Sequence, residues 1–132
     1  MKAGIAANLI ANSKYMIAFT GAGISTACGI PDFRSGKDTL LPTGPGVWEK
    51  RAHNIKTDKV VEMNKIHPSF THLFFLSLEK AGYLKHIVSQ NTDGVFMRSG
   101  FNMNKITELH GNRYMEICKK CDIKYFRDFI TR

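Results

Sequence analysis

Cysteine is scarce in this 132-residue chain, with Cys28, Cys118 and Cys121 as the whole complement. Three thiols so unevenly placed cannot frame a disulfide-stapled secreted domain, and they point to a reducing compartment. Long hydrophobic runs are missing too. The longest, such as residues 73–76, fall far short of the roughly 20 residues that span a bilayer, so no membrane partner is expected. Residues 3–11 after Lys2 loosely imitate a secretion signal, but Asn8 and Asn12 interrupt them and no small-residue cleavage site follows. They read as a first helix in an intracellular protein. No repeat or low-complexity tract is present. Nor is there a block of like charge, although 19 Lys and Arg against 11 Asp and Glu give a net charge of +8. Lys50, Arg51, Lys56, Lys59 and Lys65 alternate with Glu49, Asp58 and Glu62, which fits a solvated surface that still attracts phosphates, DNA or acidic partners.

What is present is a globular composition, 43% hydrophobic and 23% charged, sized for one domain over 1–132. Residues 15–20 form a short apolar run ending at Gly21, the strand-to-glycine-turn start of a βαβ unit. Residues 36–58 hold three glycines and two prolines with little periodicity, and read as a long loop able to serve as a lid or binding segment. Pro68 opens a helix that Gly82 closes, with Phe70, Leu73, Phe74, Ser77 and Leu78 spaced as one apolar face. Residues 86–89 and 106–109 read as further strands, with a short helix over 93–99 between them. Strands alternating with helices predict an α/β fold with a mostly parallel sheet, whose ligands sit beyond the carboxyl ends of the strands.

The segments just after the strands carry candidate chemistry. Gly21-Ala22-Gly23-Ile24-Ser25-Thr26 allows close approach of a pyrophosphate, and the start of a following helix would add a positive dipole end. Taken alone this is also an ordinary tight turn, because Thr26 replaces the third glycine of the dinucleotide fingerprint. Gly29-Ile30-Pro31-Asp32-Phe33-Arg34-Ser35 then sets a carboxylate, an aromatic face and a guanidinium in succession. Gln90-Asn91-Thr92-Asp93-Gly94 can bind an amide or sugar hydroxyls. Glu108-Leu109-His110-Gly111-Asn112 offers an imidazole as general base, whereas His53, His67, His72 and His86 read as structural.

With GAGIST (21–26), GIPDFRS (29–35), HPS (67–69), SQNTDG (89–94), RSGF (98–101) and ELHGN (108–112) in this order, the chain resembles the sirtuin family of NAD-dependent protein deacylases. GPGVW at 44–48, with the later blocks, is most similar to the nuclear class IV branch. The resemblance implies a Rossmann-like sheet, a cofactor-binding loop region over 36–66 and the start of a zinc-binding module over 113–132. It implies that Gly21 makes the turn while Ala22, Gly23 and Thr26 line the phosphate and ribose site. Asp32, Phe33 and Arg34 would belong to the cofactor loop, with Trp48 lying over the cofactor. Gln90 would contact the nicotinamide ribose, Asn91 and Asp93 near Ile30 would hold the carboxamide, and His110 would be the base.

The implied reaction moves an acyl group from lysine to ADP-ribose with release of nicotinamide, in a site that excludes water behind Phe33. Acyl-lysine protein, with histone as a candidate, would be the substrate, and a nuclear rather than cytoplasmic location is implied by the branch. Mono-ADP-ribosyl transfer would be a second activity. Cys118 and Cys121 supply two ligands where a closed zinc site needs four, and only the N-terminal half of the family's core is matched. The competing reading is a non-catalytic chain with a partial nucleotide pocket that binds chromatin, DNA or protein through its basic surface.

Overall fold

The computed structural model describes residues 2–56 and 65–131, so part of the expected 36–66 loop region lies outside the described residues. The chain runs α1 (Lys2–Asn12), β1 (Met16–Thr20), α2 (Val47–Ala52), α3 (Phe70–Lys80), β2 (Leu84–Ser89), α4 (Val95–Arg98), β3 (Ile106–Glu108), β4 (Met115–Ile117) and β5 (Lys124–Phe126). β1, β2 and β3 form one parallel sheet in that spatial order, while β4 and β5 make a separate antiparallel hairpin. The expected parallel α/β sheet is therefore observed. β2 begins two residues earlier than expected, and the expected long loop contains a helix, α2.

Register decides which side chains face inward. Ala18 lies beside Ile87 and Ile87 beside Ile106, so these three share the face that packs on α3. Leu84 and Ile87 are fully buried there with Phe96 and Phe101, against Phe75 and Leu78 of α3. Each of the two aliphatic side chains contributes roughly 1.5–3 kcal/mol by leaving water. The opposite face carries Ile17 and Phe19, 53% and 66% exposed. α1 buries no residue at all.

The buried face of α3 differs from the expected one. Phe70, Leu73 and Phe74 do share a stripe, but it points outward, and Phe75, Leu78 and His72 face the core. The segment FTHLFFLSLEK has more apolar residues than one stripe can hold, so periodicity alone leaves the choice of buried face open. The helix begins at Phe70 with Ser69 as its N-cap, two residues after the Pro68 expected to open it.

His72 is fully buried and folds back on the start of α3. Its Nδ1 accepts from the Ser69 N–H at 3.3 Å and lies 2.7 Å from Ser69 Oγ, while Ser69 Oγ also reaches the Ile24 carbonyl at 3.1 Å. Its ring meets Phe96 edge-on at 4.9 Å, and Nε2 has no hydrogen-bond partner among the described residues. Burial, partly opposed by the charge on Asp93, holds the imidazole below its ordinary pKa of 6.5. Below that pH the unfolded chain takes up a proton that the folded chain resists. The contribution of His72 to stability is therefore fully present above pH 6.5 and is lost as pH falls toward the depressed value. In urea titrations from pH 7 to 5, the wild type is expected to lose stability more steeply than His72→Asn; parallel slopes would contradict the neutral assignment.

Candidate nucleotide-binding site

The three parallel strands end together, and main-chain bonds lock the segments beyond them. Gln90 N–H donates to the Thr20 carbonyl at 3.0 Å, and Leu109 N–H donates to the Ser89 carbonyl at 2.9 Å. After β1 the chain forms two short 3-10 turns, Ala22–Ile24 and Thr26–Cys28, and leaves through Gly29 in the left-handed region at φ 83°. No α-helix comes directly after Gly21, so the expected helix dipole is not part of the site. A Cβ at Gly23 would meet nothing within 4 Å, and one at Gly21 only Gln90 Oε1 at 3.8 Å. The turn thus presents bare backbone to an approaching ligand.

Ser25, 1% exposed, joins this turn to the segment after β2. Its hydroxyl donates to Asp93 Oδ2 at 2.6 Å and accepts from Asn91 Nδ2 at 3.2 Å. The Asn91 amide also donates to the Gly21 carbonyl at 3.1 Å, and Asp93 Oδ1 accepts from Val95 N–H at 3.0 Å. Asn91 and Asp93 are therefore held in one orientation before any ligand arrives. The sequence alone assigns Ser25 no role, and its place inside GAGIST, close behind two glycines, is the one signal that could have found it.

A strap of residues 31–35 closes the next side. Asp32 accepts from Ser35 N–H at 3.2 Å and from the Ser35 hydroxyl, so its carboxylate shapes the strap itself. Val47 N–H donates to the Asp32 carbonyl at 2.9 Å and Trp48 N–H to the Phe33 carbonyl at 3.0 Å. These bonds bring Trp48 to 5.9 Å from Phe33, with the Arg34 guanidinium 5.3 Å from its ring centroid. The stack is part cation–π and part aromatic packing. Phe33 and Trp48 are each 52% exposed and leave an open aromatic face.

Ala22, Thr26, Ile30, Phe33, Asn91 and Asp93 line one cavity of about 720 Å³, within the usual range for small-molecule sites. Gly21, Gly23, Asp32, Arg34, Trp48, Gln90 and His110 lie outside its lining. Lys50, Arg51 and Arg113 line it as well, so basic residues that look scattered along the chain are gathered at one site.

His110 is exposed after β3. Glu108 and Asn112 bracket it: Asn112 Nδ2 donates to Glu108 Oε1 at 2.7 Å, and Asn112 Oδ1 accepts from Tyr114 N–H at 3.0 Å. Gly111, at φ 72°, permits the reversal between them. Burial pushes the Glu108 carboxyl above its ordinary pKa, against the opposing bond from Asn112. No local pattern marks this bracket as a role for either residue.

The Sir2 family model matches residues 21–132. The chain belongs to the Sir2 family. NAD-dependent protein deacetylase SRT1 of Arabidopsis thaliana is 44% identical over 93% of the chain and 24% of its own length. Human NAD-dependent protein deacetylase sirtuin-7 is 39% identical over 87% of the chain and 26% of its own length. A solved Sir2 complex with p53 peptide and NAD superposes with a TM-score of 0.66 at 30% identity, covering 96% of this chain and 52% of that one. The chain thus spans about a quarter of these curated relatives and about half of the solved Sir2 domain, and corresponds to the N-terminal part of the Sir2 core.

In this Sir2-family chain Cys118 and Cys121 sit at the tip of the β4–β5 hairpin, where Cys118 N–H donates to the Ile123 carbonyl and Asp122 N–H to the Cys118 carbonyl, each at 2.9 Å. Hydrogen bonds from the backbone of Lys120, then of Cys121, push the Cys118 thiol below its ordinary pKa. The two thiols suit half of a tetrahedral zinc site, and no third ligand joins them among the described residues. No described helix is long and apolar enough to cross a membrane.

Proposed function

We propose that this chain is the N-terminal part of an NAD-dependent protein-lysine deacylase, transferring the acyl group to ADP-ribose and releasing nicotinamide. The observation that carries the reading is the Ser25-centred network, which orients Asn91 and Asp93 in a cavity shared with Ile30 and Phe33. NAD, when bound, supplies an electrophilic ribose carbon and the leaving nicotinamide. Asn91 and Asp93, near Ile30, hold the carboxamide, and Gln90 reaches the adjoining ribose. The glycine turn at Gly21, Ala22, Gly23 and Thr26 takes the phosphates, with the cavity's cationic residues favouring their charge.

Phe33 excludes water from the reacting carbon, and Arg34 holds the strap against Trp48. His110 accepts a proton from a ribose hydroxyl, in a loop fixed by Glu108 and Asn112. Cys118 and Cys121 supply two of four zinc ligands. An acyl-lysine protein, with histone as the leading candidate, is the substrate, and the net charge of +8 supports work near DNA in the nucleus. Mono-ADP-ribosyl transfer belongs to the same proposal as a second activity. The alternative of a purely binding, non-catalytic chain is not favoured, because this network orders polar groups around a cavity rather than across an exposed basic face.

The test is removal of acetyl from a lysine peptide by the full-length protein carrying this chain. Acetyl loss is expected only with NAD present; loss at the same rate without NAD would reject the reading.

A further inference from the structure

Among the residues that line the cavity only Asp93 is acidic, and both its carboxylate oxygens are already engaged, by the Ser25 hydroxyl and by Val95 N–H. Three cationic residues line the same cavity. The Lys50 ammonium donates to the Thr43 carbonyl at 3.3 Å, and Arg51 lies in the last turn of α2, where a cation complements the negative end of the helix. Arg113 has neither use. It is exposed, and its guanidinium makes no hydrogen bond or ion pair among the described residues.

The backbone that carries Arg113 is nevertheless fixed. Its N–H donates to the Thr92 carbonyl at 3.0 Å, and its own carbonyl accepts from Thr131 N–H at 2.8 Å and from the Thr131 hydroxyl at 3.1 Å. Tyr114, the next residue, is buried in a cluster with Ile66 and Val95. These bonds mount an unpaired cation in a cavity whose other lining includes Ile30, Phe33, Val47 and Ile66. The ligand that completes such a lining has an apolar stem and an anionic end, because a guanidinium meets both oxygens of a carboxylate with parallel N–H bonds.

We propose that Arg113 selects the acyl group, favouring acyl-lysines whose chain ends in a carboxylate, such as succinyl-lysine, over uncharged chains of the same shape. This rests on the NAD-dependent deacylase reading above and names the acyl class for the same site. The shared chemistry is an anionic oxygen, which the diphosphate of NAD also carries. The acyl carboxylate is the assignment because Arg113 is tied to Thr92, between Asn91 and Asp93, and so belongs to the end of the site given to the carboxamide. The phosphates are given to residues 21–26 instead. The nicotinamide ring of NAD is itself positively charged, so the cofactor brings no anion to the carboxamide end.

The test compares kcat/KM for a succinyl-lysine peptide with that for an isocaproyl-lysine peptide, in which methyl groups replace the carboxylate oxygens, using the full-length protein and NAD. The wild type should favour the succinyl peptide. Arg113→Met keeps the apolar stem and removes the charge, and is expected to lower the succinyl-to-isocaproyl ratio by about 10- to 100-fold, the usual worth of a charge-assisted hydrogen bond. Both peptides are read on the same protein, so a loss of folded enzyme cancels in the ratio. A wild type that favours the isocaproyl peptide overturns the proposal, as does an Arg113→Met ratio equal to that of the wild type. Calorimetric titration with NAD separates the two anion sources: a tenfold or greater fall in NAD affinity in Arg113→Met with an unchanged ratio assigns the guanidinium to the diphosphate and also overturns it. A wild type that removes acetyl but neither longer group overturns this proposal alone, whereas one that also leaves acetyl-lysine intact with NAD present overturns the deacylase reading itself.

Discussion

Replacing His110 with alanine is expected to lower turnover of an acetylated peptide by about 10²- to 10⁴-fold, the usual effect of losing a general base. The ring is exposed at the end of β3, so thermal stability should change by no more than about 0.5 kcal/mol. NAD binding should weaken by no more than about 10-fold, the worth of one hydrogen bond to a ribose hydroxyl, because His110 is not part of the cavity wall. This combination separates a proton-transfer role from a structural one. Steady-state kinetics and calorimetry on the full-length variant check it, and normal turnover would remove His110 from the mechanism.

A second large effect is expected at Gly46. A Cβ there would sit 2.6 Å from Arg34 N and from Phe33 C, and 2.7 Å from Phe33 O. All three are backbone atoms, which cannot swing aside as a side-chain tip can. Gly46→Ala must therefore push the strap away from α2 and strain the bonds that Gly46, Val47 and Trp48 make to it. Overpacking of this kind costs about 1–3 kcal/mol, and displacement of Phe33 and Trp48 should slow turnover by about 10²-fold, the usual cost of a misplacement near 1 Å at an active site. Gly36→Ala is the control, since a Cβ at Gly36 meets nothing within 4 Å. Thermal unfolding and Trp48 emission should separate the two variants; equal behaviour would show that the strap tolerates the extra methyl.

Much of the fold was legible because its signals are local. β1 is a short apolar run ending at a turn residue, and α3 has glycine close behind it, so their existence and order arise from pattern. Which face of α3 is buried was not legible, because Phe70 and Phe74 are as apolar as Phe75 and Leu78, and only the pairing of Ala18, Ile87 and Ile106 selects between them. α2 was hidden in a stretch rich in glycine and proline, since its six residues are anchored by bonds to Asp32 and Phe33, far outside any helical period. The site shows the same division. Asn91 and Asp93 could be picked out beyond a strand, whereas Ser25 joins them across 66 and 68 residues of chain. Lys50, Arg51 and Arg113 read as scattered charge until folding gathered them at one cavity.

The most direct measurement of the central claim is the fate of the acetyl group when the full-length protein acts on an acetyl-labelled lysine peptide with NAD. Transfer to ADP-ribose, with one nicotinamide released for each lysine freed, is the expected result. Label appearing as free acetate without nicotinamide release, or remaining on the peptide while NAD is bound, would contradict it.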